Sequence, residues 1–154
     1  MPLLLLRHAK AGNRMKWDPP DHLRPLAEKG RAQAEALVLE YRAFEVTRLL
    51  TSPYVRCVQT VGPLAAALGV AVEETAALAE GAGSRAALDL MRRLAGTTAV
   101  LCTHGDVMID TLDALEDVTG LELPPSYPSA KGGTWLLEGE GFPFAGARYL
   151  PPPA

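Results

Sequence analysis

Short apolar runs alternate along the chain with stretches of helical periodicity. Leu3 to Leu6 is continuously apolar, as a strand covered on both faces requires. A polar loop with Trp17, Asp18, Pro19 and Pro20 follows, and a helix is predicted from near Ala27. There Ala34, Leu37, Val38 and Tyr41 fall at i, i+3, i+4 and i+7, which buries one face. Val46 to Leu50 reads as the second strand. Ser52 then reads as an N-cap and Pro53 as the first helical residue. Val61, Leu64, Ala65 and Leu68 carry that helix's apolar face, with a kink expected at Pro63 and a stop at Gly69. Val70 to Val72 begins a third strand, followed by a loop through Gly83 and a helix capped by Ser84 that runs to Leu94. Thr97 to Cys102 is the fourth strand, and Asp106 opens a helix with Met108, Leu112 and Leu115 on one face. Beyond Pro124, Pro125 and Pro128, the segments Thr134 to Leu137 and Ala147 to Leu150 read as a hairpin. The Pro151-Pro152-Pro153 tail is expected to be extended and frayed.

This order predicts an α/β fold: three layers (α/β/α), a mainly parallel sheet and an antiparallel edge hairpin at the C-terminus. With 154 residues the chain is expected to form a single domain, residues 1–154. A composition of 48% hydrophobic and 21% charged residues excludes intrinsic disorder. No apolar run is long enough to span a bilayer, so a membrane partner is not expected. The apolar opening stops at Arg7-His8, too short for a secretory leader. Together with only two cysteines, this points to a reducing, cytoplasmic setting. A net charge of −3 argues against nucleic acid. The charge is uneven, however: residues 1–60 hold ten Lys/Arg against six Asp/Glu, and the remainder five against twelve. A basic first half suits an anionic ligand, although an uneven solvated surface would give the same count.

In open α/β sheets ligands bind beyond the carboxyl ends of the strands. Strand one ends in Arg7-His8, and strand two runs through Thr51-Ser52-Pro53 to Arg56. Strand three leads to Glu80, and strand four ends in Thr103-His104-Gly105-Asp106. Four junctions thus bring two His, two Arg and one Glu to one sheet edge. Paired guanidiniums and helix N-termini suit a doubly charged tetrahedral anion. A neutral imidazole is a nucleophile near pH 7, and a carboxyl group can protonate a leaving group. Taken singly, each of these residues is more often structural; it is their shared placement that points to chemistry. His22 beside Asp21 receives no role, while Asp21 and Arg24 are placed to brace the entrance. Cys57 and Cys102 lie in apolar patterns and read as buried structural thiols. Gly81-Ala82-Gly83-Ser84-Arg85-Ala86 formally fits G-x-G-x-x-A, but it neither follows a strand directly nor has the acidic residue that a dinucleotide site needs. The spacing of His104, Cys102 and Asp106 matches no metal motif, so neither metal nor another cofactor is expected.

LLLLRHAKAG resembles the signature of the histidine phosphatase (phosphoglycerate mutase-like) superfamily. TSPYVRCVQT resembles that superfamily's Ser-Pro-x-x-Arg-x-x-Gln-Thr motif, and LCTHGDV the segment carrying its second histidine. WDPPDHLRPLAEKGRAQAEAL is similar to a stretch of the small phosphohistidine phosphatase (SixA-type) subgroup, and also to the histidine-phosphatase domain of some Nudix hydrolases. The resemblance spans about residues 1–120, in the expected order. It implies that His8 is the phosphorylated nucleophile and that Arg7, Arg56 and His104 bind the phosphoryl group. It also places Glu80 roughly where larger members have a proton donor. Ala9 stands where Gly is common, as in the small subgroup. Lys10-Ala11-Gly12-Asn13 follows where many mutases have phosphate-binding Ser and Asn, which leaves the roles of Lys10 and Asn13 open. The expected function is a metal-independent phosphatase acting on protein phosphohistidine or another bulky phosphorylated substrate, whether phosphoprotein or small phosphate ester. Alternatives are a phosphoglycerate mutase-type isomerase, a nucleotide phosphatase and a phosphate-binding module without turnover.

Overall fold

The computed structural model describes residues 1–153. Six strands form one sheet: β1 (Leu3–Arg7), β2 (Arg48–Thr51), β3 (Val72–Glu74), β4 (Ala99–Thr103), β5 (Thr134–Glu138) and β6 (Gly146–Leu150). Their spatial order is β3-β2-β4-β1-β5-β6. The first four are mutually parallel, and β5 and β6 add an antiparallel hairpin beside β1. Four helices complete the layers: α1 (Glu28–Tyr41), α2 (Val55–Leu68), α3 (Arg85–Leu94) and α4 (Gly105–Thr119). Single 3-10 turns lie at Arg14–Lys16, Asp21–Leu23 and Ala76–Leu78. The three-layer α/β arrangement predicted from the sequence is the one observed.

The unbroken apolar run of β1 has a simple cause. Leu3 and Leu5 pack with α3 and α4, whereas Leu4 and Leu6 pack with α1 and α2. All four are essentially inaccessible. Burying a leucine is worth about 1.5–3 kcal/mol, so this central strand holds both layers to the sheet. Trp135 on β5 belongs to the α3/α4 side of the core, and its indole N–H donates to the Pro128 carbonyl at 2.9 Å.

Several element boundaries differ from the sequence reading. Helix α2 begins at Val55 rather than Pro53, and its N-cap is Tyr54 rather than Ser52. The Ser52 hydroxyl accepts the Tyr54 N–H just ahead of the helix and also faces His104. The end of α2 is as read: the helix runs through Pro63 to Leu68 and stops at Gly69. Strand β3 starts two residues later than expected, at Val72. Gly69 turns left-handed (φ 68°) and the Val70 N–H still bonds the Ala65 carbonyl, so Val70 finishes the helix end before strand pairing begins. Strands β2 and β4 likewise begin two residues later than predicted. Ser84 stands at the start of α3 but makes no side-chain cap bond. The proline tail is extended yet not free: Pro152 is half-buried and lies against the turn at Gly132.

Candidate active site

Strand register brings the functional groups to one level. Arg7 sits beside Thr103 and Thr51 beside Cys102. The ladder continues for one more bond on each side, His8 N–H to the Thr103 carbonyl (3.0 Å) and Ser52 N–H to the Cys102 carbonyl (2.9 Å). His8, Ser52 and His104 therefore leave the sheet together. The His8 and His104 ring centroids lie 5.4 Å apart. Arg7, Arg56 and Glu80 join them, so the structure gathers all five residues singled out in the sequence.

His8 is buried, and its Nδ1 lies 2.7 Å from the Ala9 carbonyl. A carbonyl only accepts, so Nδ1 carries the proton and Nε2 keeps its lone pair. Burial lowers the His8 pKa to about 3, the bond to Ala9 opposes that, and the nearby His104, Arg56 and Arg7 push it down further. The ring is neutral near pH 7. Ala9 is fixed in turn, because its N–H donates to Thr60 Oγ1 at 3.0 Å and its methyl packs with Leu26 and Ala34. Among the described residues no non-glycine residue has positive φ, so Ala9 replaces Gly here without strain.

His104 is the N-cap residue of α4 and is 1% exposed. Its Nε2 lies 2.8 Å from Ser52 Oγ, which also accepts the Tyr54 N–H at 3.2 Å. With the hydroxyl donating to Nε2, the imidazole proton is assigned to Nδ1. That Nδ1 has no partner. The Tyr54 ring packs edge-on against His104 at 4.6 Å and carries the Arg56 guanidinium 4.9 Å from its centre.

Two more nitrogens are buried without a partner, Arg7 Nε and Arg56 Nε. Buried donors are nearly always satisfied, so three orphans around one hollow call for an acceptor from outside. Arg7 Nη1 is tied to the Ser129 carbonyl at 2.7 Å. Its guanidinium lies against Gly105, where an added Cβ would come within 2.7 Å of Cζ. Only glycine lets α4 approach Arg7 this closely. Arg56, completely inaccessible, gives Nη1 to the Asp21 carbonyl and Nη2 to Asp21 Oδ2, both at 3.0 Å.

Glu80 lies at the rim. Its Oε1 accepts from Arg56 Nη2 and Arg14 Nη2, each at 3.3 Å. The loop holding it is fastened by the Gly81 N–H to Asp106 Oδ2 (2.8 Å) and by Thr103 Oγ1 to the Leu78 carbonyl (2.6 Å). Asp21 also pairs with Arg24 at 3.0 Å, and these contacts lower its pKa. Asp21 thus joins Arg24, which lines the cleft, to Arg56. Asn13 spends its side chain on the Met15 N–H, while Lys10 lines a cleft of about 820 Å³ that opens from His8. His22, given no role, packs near Tyr54. Cys57 and Cys102 are free and buried, as read, although Cys57 Sγ also lies 3.6 Å from His104 Nε2. Ser52, Tyr54, Thr60, Gly105 and Asp106 support the site but were not singled out for it in the sequence. The Ser-Pro step could have revealed Ser52, yet N-cap residues have extended backbones too, so the same sign fits either role.

Comparison with known proteins agrees with this geometry. The Histidine phosphatase superfamily (branch 1) profile matches residues 3–85. The chain is 36% identical over 156 residues to an 8-oxo-(d)GTP phosphatase of Mycolicibacterium smegmatis, covering 98% of this chain and 48% of that protein. It therefore spans about half the length of that curated relative. The structure is similar to that of a SixA-type phosphohistidine phosphatase from Agrobacterium tumefaciens (27% identity, TM-score 0.73, 98% and 97% of the two chains). A SixA-type structure from Nakamurella multipartitia shares the fold at 24% identity and TM-score 0.76, over 99% and 96% of the two chains. The motifs, the six-stranded fold and the paired histidines agree: the chain belongs to the histidine phosphatase superfamily, branch 1.

Proposed function

We propose that this phosphatase domain removes a phosphoryl group through a covalent intermediate on His8. The observation that carries the reading is the set of three unpartnered buried donors, Arg7 Nε, Arg56 Nε and His104 Nδ1, around a neutral His8. In the first step the Nε2 lone pair forms a P–N bond as the bond from phosphorus to the leaving atom breaks. That atom takes its electron pair and a proton, from Glu80 or from solvent. Water then attacks phosphorus, the P–N bond returns its pair to Nε2, and orthophosphate departs. The two guanidiniums and His104 N–H hold the phosphoryl oxygens throughout. Phosphoryl transfer depends mostly on such positioning and charge stabilisation. An arginine within about 4 Å of a phosphate charge contributes roughly 4 kcal/mol at an effective dielectric of 20, before desolvation. No metal enters the proposed step.

The substrate is proposed to be a bulky phosphorylated molecule. Protein phosphohistidine is supported by the activity named for the Agrobacterium relative, and a nucleotide by the activity named for the Mycolicibacterium relative. The test of the mechanism is rapid quenching of the protein with an aryl phosphate at alkaline pH, which preserves phosphoramidates. The wild type should gain the mass of one phosphoryl group, mapped to His8. His8→Asn should lose the label and about 10⁴-fold or more in kcat, as removal of a nucleophile does. Full turnover by His8→Asn would reject the nucleophile.

A further inference from the structure

The cleft that opens from His8 is larger than the phosphoryl hollow, and it is lined by cations the proposed reaction does not use. Lys10 and Lys131 are on its walls. Neither ammonium has an ion-pair or hydrogen-bond partner among the described residues. The acidic groups nearby are already engaged: Asp106 with the Gly81 N–H, Glu80 with Arg14 and Arg56, and Asp21 with Arg24 and Arg56. The surrounding arginines have carboxylate or carbonyl partners, and the two lysines do not.

Their side chains are exposed, but their backbones are held. The Lys10 N–H donates to Gln33 Oε1 at 3.0 Å and its carbonyl accepts the Ala27 N–H at 3.0 Å. Helix α1 packs so closely there that a Cβ on Gly30 would run into the Lys10 carbonyl. The residue after Lys131 is clamped to β1 and His8: the Gly132 N–H reaches the Arg7 carbonyl at 3.1 Å and the His8 carbonyl at 3.0 Å. Gly132 adopts φ 85°, the left-handed conformation this turn requires. Two ammonium groups are therefore carried on fixed backbone within one or two residues of His8 or its clamp. Lys131 responds to this crowding. Partial burial lowers its pKa, and so does repulsion from Arg7, Arg24, Lys10 and Arg14.

We propose that Lys10 and Lys131 form a second anion subsite, which holds the phosphate next to the one transferred to His8. The substrate is then a phosphoanhydride such as a nucleoside di- or triphosphate, cleaved at its terminal phosphate. This deepens the proposed function and rests on it for the position of the first phosphate. Two unpaired ammonium groups are matched by the charge of a second phosphate, whereas a phosphohistidine side chain would leave both unpaired.

Calorimetric titration with pyrophosphate, in the form of its non-hydrolysable methylene analogue, and with orthophosphate tests the subsite without turnover. The wild type should bind pyrophosphate at least about tenfold more tightly than orthophosphate, and the ratio should fall towards one in the Lys10→Gln/Lys131→Gln double variant. Circular dichroism would establish that the variant is folded. A ratio near one in the wild type, or a ratio that survives both substitutions, would overturn the subsite. Faster turnover of a phosphohistidine protein than of a nucleoside diphosphate, equally in wild type and double variant, would also overturn it. Retained aryl phosphatase activity in His8→Asn would instead reject the covalent mechanism, leaving the pyrophosphate ratio to be read separately.

Discussion

Ser52 Oγ takes one hydrogen bond from the Tyr54 N–H and stands 2.8 Å from His104 Nε2, so it orients the His104 ring. Ser52→Ala should leave the fold intact and reduce kcat about tenfold, the equivalent of one hydrogen bond, with a smaller change in KM. Steady-state kinetics on an aryl phosphate will show it. Glu80 permits a second comparison. If it delivers the proton, Glu80→Gln should cost about 10²-fold or more with an alkyl phosphate, whose leaving group needs the proton, and little with p-nitrophenyl phosphate. Equal loss with both would give Glu80 a positioning role through Arg56. The principal residues were legible because Arg7, His8, Arg56 and His104 sit at strand ends or one turn beyond them, where parallel topology brings them together. Ser52 reads as a helix cap in the sequence because capping and contact with His104 use the same hydroxyl and the same extended backbone.

Helix α4 approaches Arg7 only because its first residue has no side chain. Gly105→Ala would put a methyl within 2.7 Å of Arg7 Cζ, so the guanidinium must move. A shift on this scale should lower kcat/KM about 10²-fold while melting temperature changes little. Gly30→Ala is expected to do the reverse. Its methyl meets backbone rather than a side-chain tip, so α1 must shift, costing about 1–3 kcal/mol in urea denaturation. The identity and order of the elements could be read from apolar periodicity because every strand except the edge strands β3 and β6 is well covered. The boundaries could not. Val70 reads as a β residue, yet its N–H completes the end of α2, and Pro53 reads as helical although Tyr54 is the cap.

His8 stays neutral in the folded protein down to a pKa of about 3, whereas the unfolded chain takes up its proton near 6.5. A depressed histidine stabilises least in acid: its contribution is complete above pH 6.5 and is lost as pH falls towards 3. The slope is about 1.4 kcal/mol per pH unit within that window. Urea titrations from pH 7 to pH 4 should therefore show the wild type losing stability faster than His8→Asn, with the gap widening steadily. Parallel curves would mean that His8 titrates normally. The sheet order β3-β2-β4-β1-β5-β6 has one further consequence. Neighbouring strands at the centre of the sheet are far apart in the chain, and each contributes only part of the proposed phosphate hollow. No half of the polypeptide contains a working fragment of it, so catalysis must vanish with the first strand to peel away, and recovered turnover after dilution from denaturant would report the closing of the last long-range pairing.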